Sequence, residues 1–211
     1  CTTLSEAGYE VLLVGRRRNN SRPIRAEVFQ QKRLACFFDA GKLFYLEYNL
    51  RLLFFLLFAR FQLVCAVDLD TLLPAYIVCK LRRKVCVYDA HEYFTEVPEV
   101  NRRPMVKKVW EMLADFLIPK VKYAYTVGAC LAEALEKRYG TKFEVIRNMP
   151  FQRKTPSSTH LEEATKIILY QGALNEGRGL ESAIMAMHEI DGAVLWLAGE
   201  GDLSEKLRRL V

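Results

Sequence analysis

Short apolar runs bounded by polar loops recur along the chain, and longer segments of helical period lie between them. Glu10 to Gly15, Leu34 to Phe38, Gln62 to Val67, Val85 to Tyr88, Tyr123 to Val127 and Phe143 to Arg147 read as strands. Leu43 to Phe61, Asp68 to Leu81, Arg103 to Phe116 and Ala129 to Tyr139 read as helices, the last closed by Gly140. From Phe151 to Thr165 the chain turns polar and loses its period, which marks a domain boundary. The pattern then resumes with a strand at Lys166 to Gln171, a glycine-bearing loop at Gly172 to Gly179, a helix at Leu180 to Glu189, a strand at Ala193 to Ala198 and a helix at Leu203 to Leu210.

Alternation of this kind predicts an α/β fold of two doubly wound, Rossmann-like domains. Residues 1–150 form the first, 151–165 a linker, and 166–211 the beginning of a truncated second. Cys1 to Ala7 reads as the last turns of a helix closed by Gly8, so a first strand is expected ahead of Cys1. A sheet without that strand loses two ladders of hydrogen bonds, each bond worth about 0.5 to 1.5 kcal/mol net. The chain is therefore expected to fold poorly unaided.

The helix from Leu43 to Phe61 is apolar on nearly all sides except at Glu47, Asn49, Arg51 and Arg60. Its uninterrupted run, Leu52 to Ala59, falls well short of the roughly 20 residues a membrane span needs. A buried or partner-facing helix is the main expectation, and the flanking arginines also suit peripheral contact with anionic headgroups. Asp68 or Asp70 suits the N-cap of the next helix, and Pro74 is expected in its first turn.

The net charge of +6 comes from scattered clusters such as Arg16 to Arg18, Arg82 to Lys84 and Arg102 to Lys108. No basic tract is interleaved with aromatics in the way nucleic acid would require, so no nucleic-acid partner is expected. Six cysteines at irregular spacings, several inside apolar segments, behave as small hydrophobes and point to a reducing cytoplasm. Without C-x-x-C, H-E-x-x-H or an acidic ladder, no protein-held metal is expected.

Candidate chemistry gathers in two places. Val85 to Tyr88 breaks into a polar segment carrying Asp89, His91, Glu92 and Glu96, a buried strand delivering ionisable groups to its carboxyl end, where ligands sit in open α/β sheets. His91 can orient a hydroxyl or stabilise charge developing at a reacting sugar, or it can be a satisfied structural histidine. In G-A-L-N-E-G-R-G, from Gly172 to Gly179, backbone N–H groups at a helix start can face an anion, and Arg178 adds a bidentate donor for a diphosphate. The spacing begins like a P-loop, but Arg178 and Gly179 replace its lysine and hydroxyl, and G-x-G-x-x-G is missing. An ATPase or dinucleotide oxidoreductase fits poorly. His160, His188 and the pair Glu181 and Glu189 carry no catalytic expectation.

D-L-D-T-L-L-P at Asp68 to Pro74, Y-D-A-H-E-Y-F-T-E-V-P-E at Tyr88 to Glu99, V-I-R-N-M-P at Val145 to Pro150 and I-L-Y-Q-G-A-L-N-E-G-R-G-L-E together resemble GT-B glycosyltransferases of the family 4, group 1 type. The resemblance implies transfer of a sugar from a nucleotide-diphosphate donor, with retention at the anomeric carbon, to a glycan or lipid-linked acceptor in polysaccharide or glycolipid synthesis. It implies His91 near the donor sugar, Gly172, Arg178 and Gly179 at the donor diphosphate, and Asp89, Glu92 and Glu96 on the acceptor side. Asn148 to Pro150 would lie near the interdomain crossover. The nucleotide sugar is then a substrate, and no cofactor is implied. Ala173 stands where the family commonly has arginine, and the paired-glutamate motif is not among these residues. Two other readings remain open: a non-catalytic GT-B remnant acting as a binding module, and a GT-B sugar-nucleotide epimerase.

Overall fold

The computed structural model describes residues 1–18, 21–149 and 166–211. It divides into two compact units, Cys1–Asn148 and Met149–Val211. The expected linker at 151–165, with His160, and also Pro150 lie outside the described residues.

The first unit runs α1 (Thr2–Glu6), β1 (Leu12–Arg17), β2 (Gln30–Ala35), α2 (Gly41–Phe58), β3 (Leu63–Val67), α3 (Leu69–Arg82), β4 (Val85–Ala90), α4 (Pro98–Asn101), α5 (Pro104–Leu117), β5 (Tyr123–Thr126), α6 (Ala129–Tyr139) and β6 (Glu144–Val145). The second runs β7 (Lys166–Gln171), α7 (Leu180–Ala186), β8 (Ala193–Ala198) and α8 (Ser204–Arg208). All pairings are parallel, as alternating strands and helices require. Ends differ where local chemistry stops an element. β2 begins earlier than Leu34, β6 keeps only Glu144 and Val145, and α7 yields to a 3-10 turn at Met187–Glu189.

The first unit's sheet lies in two pieces, β1-β2 and β3-β4-β5-β6. Among the described residues no strand bridges β1 and β3, so each ends on an unpaired edge. One face of the larger piece is closed. Ala66, Tyr88, Ala90, Ala124 and Thr126 are buried there with Leu72, Ala75 and Val78 of α3 and Ala132 and Leu135 of α6. The other face is open, with Leu63, Val67, Val85 and Tyr123 exposed. The apolar run of β4 thus buries one side only, a departure from the two-sided burial its composition suggests and parallel sheets usually show.

α2 buries a stripe of Tyr48, Leu52 and Leu56, spaced i, i+4, i+8, and packs on α3 and β2. Its opposite stripe, Leu43, Leu46, Leu50, Phe54 and Phe58, is exposed. Glu47 receives the N–H groups of Phe37 and Phe38 and the guanidinium of Arg51 at 2.8 Å, which closes the turn leading into the helix. These donors outweigh partial burial and hold its carboxyl below the ordinary range. In α3, Pro74 falls in the second turn because the helix starts at Leu69, so its missing N–H leaves the Asp70 carbonyl without its helical donor. Its ring is buried in the core, which offsets that loss.

Candidate active site

Asp89 and Ala90 close β4, and His91 follows directly. Register places Asp89 beside Val67 of β3 and Tyr125 of β5, so the three share the open face. There Tyr125 Oη donates to Asp89 Oδ2 at 2.7 Å, and Cys65 Sγ lies 3.5 Å from the same hydroxyl. His91 Nε2 meets Oδ2 from the other side at 3.0 Å, and Asn148 Nδ2 lies 3.4 Å from His91 Nδ1. The carboxylate is buried at 8% side-chain exposure while the imidazole keeps 38%. An accessible ring therefore rests on a buried carboxyl group. Asp89 Oδ1 is buried with no hydrogen-bond partner among the described residues.

The turn from β3 into α3 is bound to the same place. Asp68 adopts φ 58, ψ 169, a region side chains rarely enter, at a cost of about 1 to 3 kcal/mol. Two hydrogen bonds hold it there. Its N–H donates to the Asp89 carbonyl at 2.9 Å, and its Oδ1 accepts the His91 N–H at 3.1 Å. Burial pushes the Asp68 carboxyl up, and the His91 N–H partly counters it. The side chain makes no capping bond to α3, so its partner is the β4 terminus rather than its own helix.

Burial, then the neighbouring Asp68, pushes Asp70 up from 3.8 to about 6. A carboxyl whose folded value lies above its unfolded one stabilises fully below the unfolded value and loses that contribution as pH rises through the folded one. Wild-type stability should therefore fall between pH 3.8 and about 6. Asp70→Asn should remove that slope and raise stability at pH 7.5 by up to about 3 kcal/mol. Urea unfolding across this range checks it, and parallel curves for the two proteins would refute the buried charge.

The remaining expected residues separate. Glu92 is exposed beside His91. Glu96 receives Lys107 Nζ at 2.9 Å and lies 3.9 Å from Arg138, and the Lys107 bond holds its carboxyl low. It is the acidic partner of a surface ion network on α5 and α6 rather than a companion of His91.

In the second unit, the N–H groups of Gly172 and Leu174 donate to the carbonyls of Ala198 and Glu200 at 3.0 and 3.1 Å. That part of the loop's backbone is therefore not open to an anion. Gly177 and Gly179 take positive φ of 82° and 71°, and Arg178 between them is exposed. The sequence reading missed Gly199 and Gly201. A Cβ at Gly199 would stand 1.8 Å from the Gly172 carbonyl oxygen, and one at Gly201 would stand 2.3 Å from Asn175 Oδ1. A-G-E-G after an apolar strand was the available signal: glycines spaced for close approach of two backbones. An open hollow of about 720 Å³ is lined by Leu174, Ile184, Leu195, Leu197, Leu207 and Val211, but by neither Arg178 nor Gly179. Among the described residues no three His, Cys, Asp or Glu side chains are grouped to hold a metal ion.

The fold occurs in known structures. Sucrose-phosphate synthase from Thermosynechococcus elongatus superposes with a TM-score of 0.72 at 16% identity, over 99% of this chain and 58% of that one. Anabaena HepE, solved in complex with UDP and glucose, superposes with a TM-score of 0.58 at 15% identity, over 87% of this chain and 52% of that one. At such identities the likeness establishes the fold, which is GT-B, and this chain spans little more than half of either neighbour. No curated protein matches the sequence. The sequence profile of Glycosyltransferase Family 4 matches residues 1–149, which hold β1 to β6, the strained turn at Asp68 and the His91 site. The chain belongs to glycosyltransferase family 4.

Proposed function

We propose that the intact protein transfers a sugar from a nucleotide-diphosphate donor to a glycan or lipid-linked acceptor, with retention at the anomeric carbon. The observation that carries this reading is the accessible His91 ring seated on buried Asp89 at the carboxyl end of β4. Such a ring can meet a hydroxyl of the donor sugar and stabilise positive charge as the bond to the diphosphate breaks. The new bond forms to an acceptor oxygen, whose proton leaves with the nucleoside diphosphate. Arg178 suits the diphosphate because its guanidinium is exposed between two glycines in left-handed conformation. The UDP and glucose held by HepE fit a donor of this class. Glu92 remains the acceptor-side candidate, and no cofactor enters the reaction. Incubation with a panel of nucleotide sugars and acceptors, with product configuration read by NMR, tests the reading. An inverted product would overturn it, as would epimerised donor without transfer.

Arg178→Ala should weaken donor binding by roughly 1.5 to 3 kcal/mol, the scale of a hydrogen bond to a charged group. Calorimetry with the donor that supports turnover checks this, and unchanged affinity would remove Arg178 from the site.

The same proposal places the protein in the cytoplasm, against the inner face of the membrane. Among the described residues no helix is long and apolar enough to cross a membrane. The exposed stripe of α2 is nevertheless apolar from Leu43 to Phe58, and residues 42–60 carry Lys42, Arg51 and Arg60 against one acid, Glu47, which pairs with Arg51. A shallow apolar face with basic flanks suits an anionic lipid surface. The protein should sediment with vesicles containing phosphatidylglycerol and lose that binding in Leu50→Ser/Phe54→Ser. Equal sedimentation of both proteins would exclude α2 as the contact.

A further inference from the structure

In the reading above His91 meets the reacting sugar, and its ring rests on Asp89, whose carboxylate also receives Tyr125. We infer that Asp89 and Tyr125 are positioning residues: they fix His91 as the Nε2–H tautomer and leave its Nδ1 lone pair as the group offered to substrate. This rests on the reading of His91 given above.

With Asp89 ionised and His91 neutral, the donors and acceptors leave one consistent assignment. Tyr125 Oη is 2.7 Å from Asp89 Oδ2. Burial, with Cys65 and Asp89 beside it, pushes the Tyr125 phenol well above its ordinary range, so it stays protonated and donates to the carboxylate. Burial likewise pushes the Cys65 thiol up, so it keeps its proton and is free to donate to the phenol oxygen 3.5 Å away, whose own hydrogen goes to Asp89. Asp89 Oδ2 then accepts from two directions, from Tyr125 and from His91 Nε2 at 3.0 Å. A carboxylate has nothing to donate, so the Nε2 nitrogen must carry the hydrogen. The ring's other nitrogen then carries the lone pair, and Asn148 Nδ2, 3.4 Å away, is the donor that a substrate hydroxyl would replace. The main-chain bond from His91 N–H to Asp68 Oδ1 fixes the ring's root as well as its tip.

Function follows from where these hydrogens point. Donation converges on Asp89: the phenol gives its proton to Oδ2 from one side and His91 Nε2–H from the other. The anion makes the imidazole more electron-rich at Nδ1 and better able to stabilise positive charge. Nδ1 is an acceptor for a sugar hydroxyl, so the substrate group it selects is a hydroxyl that donates rather than a phosphate oxygen that only accepts. Asp89 thus leaves the acceptor-side group and joins His91 as its support.

The test is ¹⁵N NMR of the intact, histidine-labelled protein at pH 8.5, with the His91 signals assigned by their loss in His91→Gln. A single Nε2–H tautomer is expected, becoming a mixture in Asp89→Asn and retaining Nε2–H but broadening in Tyr125→Phe. An Nδ1–H ring or an averaged ring in the wild type would overturn the inference, as would an unchanged spectrum in Asp89→Asn. In turnover assays, Asp89→Asn should lower kcat by about tenfold or more with KM within about twofold. A purely structural role would instead move neither tautomer nor kcat in a correctly folded variant, and that result overturns the inference. If the ring is locked but no donor is ever consumed, the glycosyltransferase reading fails while the tautomer assignment stands.

Discussion

His91→Ala in the intact protein will lower turnover by about a hundredfold or more and leave donor affinity within about threefold. The ring sits at the carboxyl end of β4 with 38% of its side chain open, where a sugar can touch it, whereas the proposal assigns the diphosphate to Arg178. Removing it leaves Asp89 without its Nε2 partner, on a carboxylate whose Oδ1 already lacks one among the described residues. The variant therefore keeps the buried carboxyl group but loses the ring proposed to meet the substrate. Single-turnover and steady-state kinetics with the active donor, paired with calorimetry, separate the two effects. Equal turnover would return His91 to a structural role, and a loss confined to affinity would make it a binding group.

Tyr88→Ala will cost the first unit about 3 to 5 kcal/mol, the range for emptying a buried aromatic site. Tyr88 is 2% exposed, and its ring meets Phe143 edge to face at 6.1 Å. It lies under α3 between Ala66 and Ala124, two alanines whose small size makes room for it and which cannot close the space it leaves. A domain's whole stability is about 5 to 15 kcal/mol, so this one change removes a large share. It also loosens the site, because Asp89 is the next residue of the same strand. Urea unfolding gives the loss directly. A cost below about 1 kcal/mol would mean that neighbouring side chains refill the site.

Much of the fold could be read from hydrophobic spacing. β4, α5, β5 and α6 lie within a few residues of the expected segments because each carries its own period and its own stop, such as Gly140 at φ 68 after α6. β6 was less legible, since only Glu144 and Val145 find a partner on β5 at the sheet's edge. Pro74 was misplaced by part of a turn because the start of α3 depends on the strained conformation of Asp68, which no propensity favours.

The candidate site divides in the same way. His91 and Arg178 stood out as reactive residue types at loop positions after strands. Asp89, Glu92 and Glu96 were indistinguishable as three carboxylates within eight residues, and only contacts separated them. Asp89 is drawn under the ring, Glu96 is taken by Lys107, and Glu92 stays exposed. Tyr125 and Cys65 carried no signal at all, because Tyr125 reaches Asp89 from a strand 36 positions away and Cys65 reaches Tyr125 from one 60 positions away along the chain.

By itself the sequence determined the alternation of strand and helix, the family, and the residue types placed at the strand ends, since these follow from local periodicity and short motifs. Tertiary structure decided which face of the sheet is closed, which carboxylate serves the histidine, and which loop amides are already spent on Ala198 and Glu200. Those outcomes depend on distances between strands that are remote in sequence, and a hydrogen bond is specific only once the parallel register has set its donor and acceptor side by side.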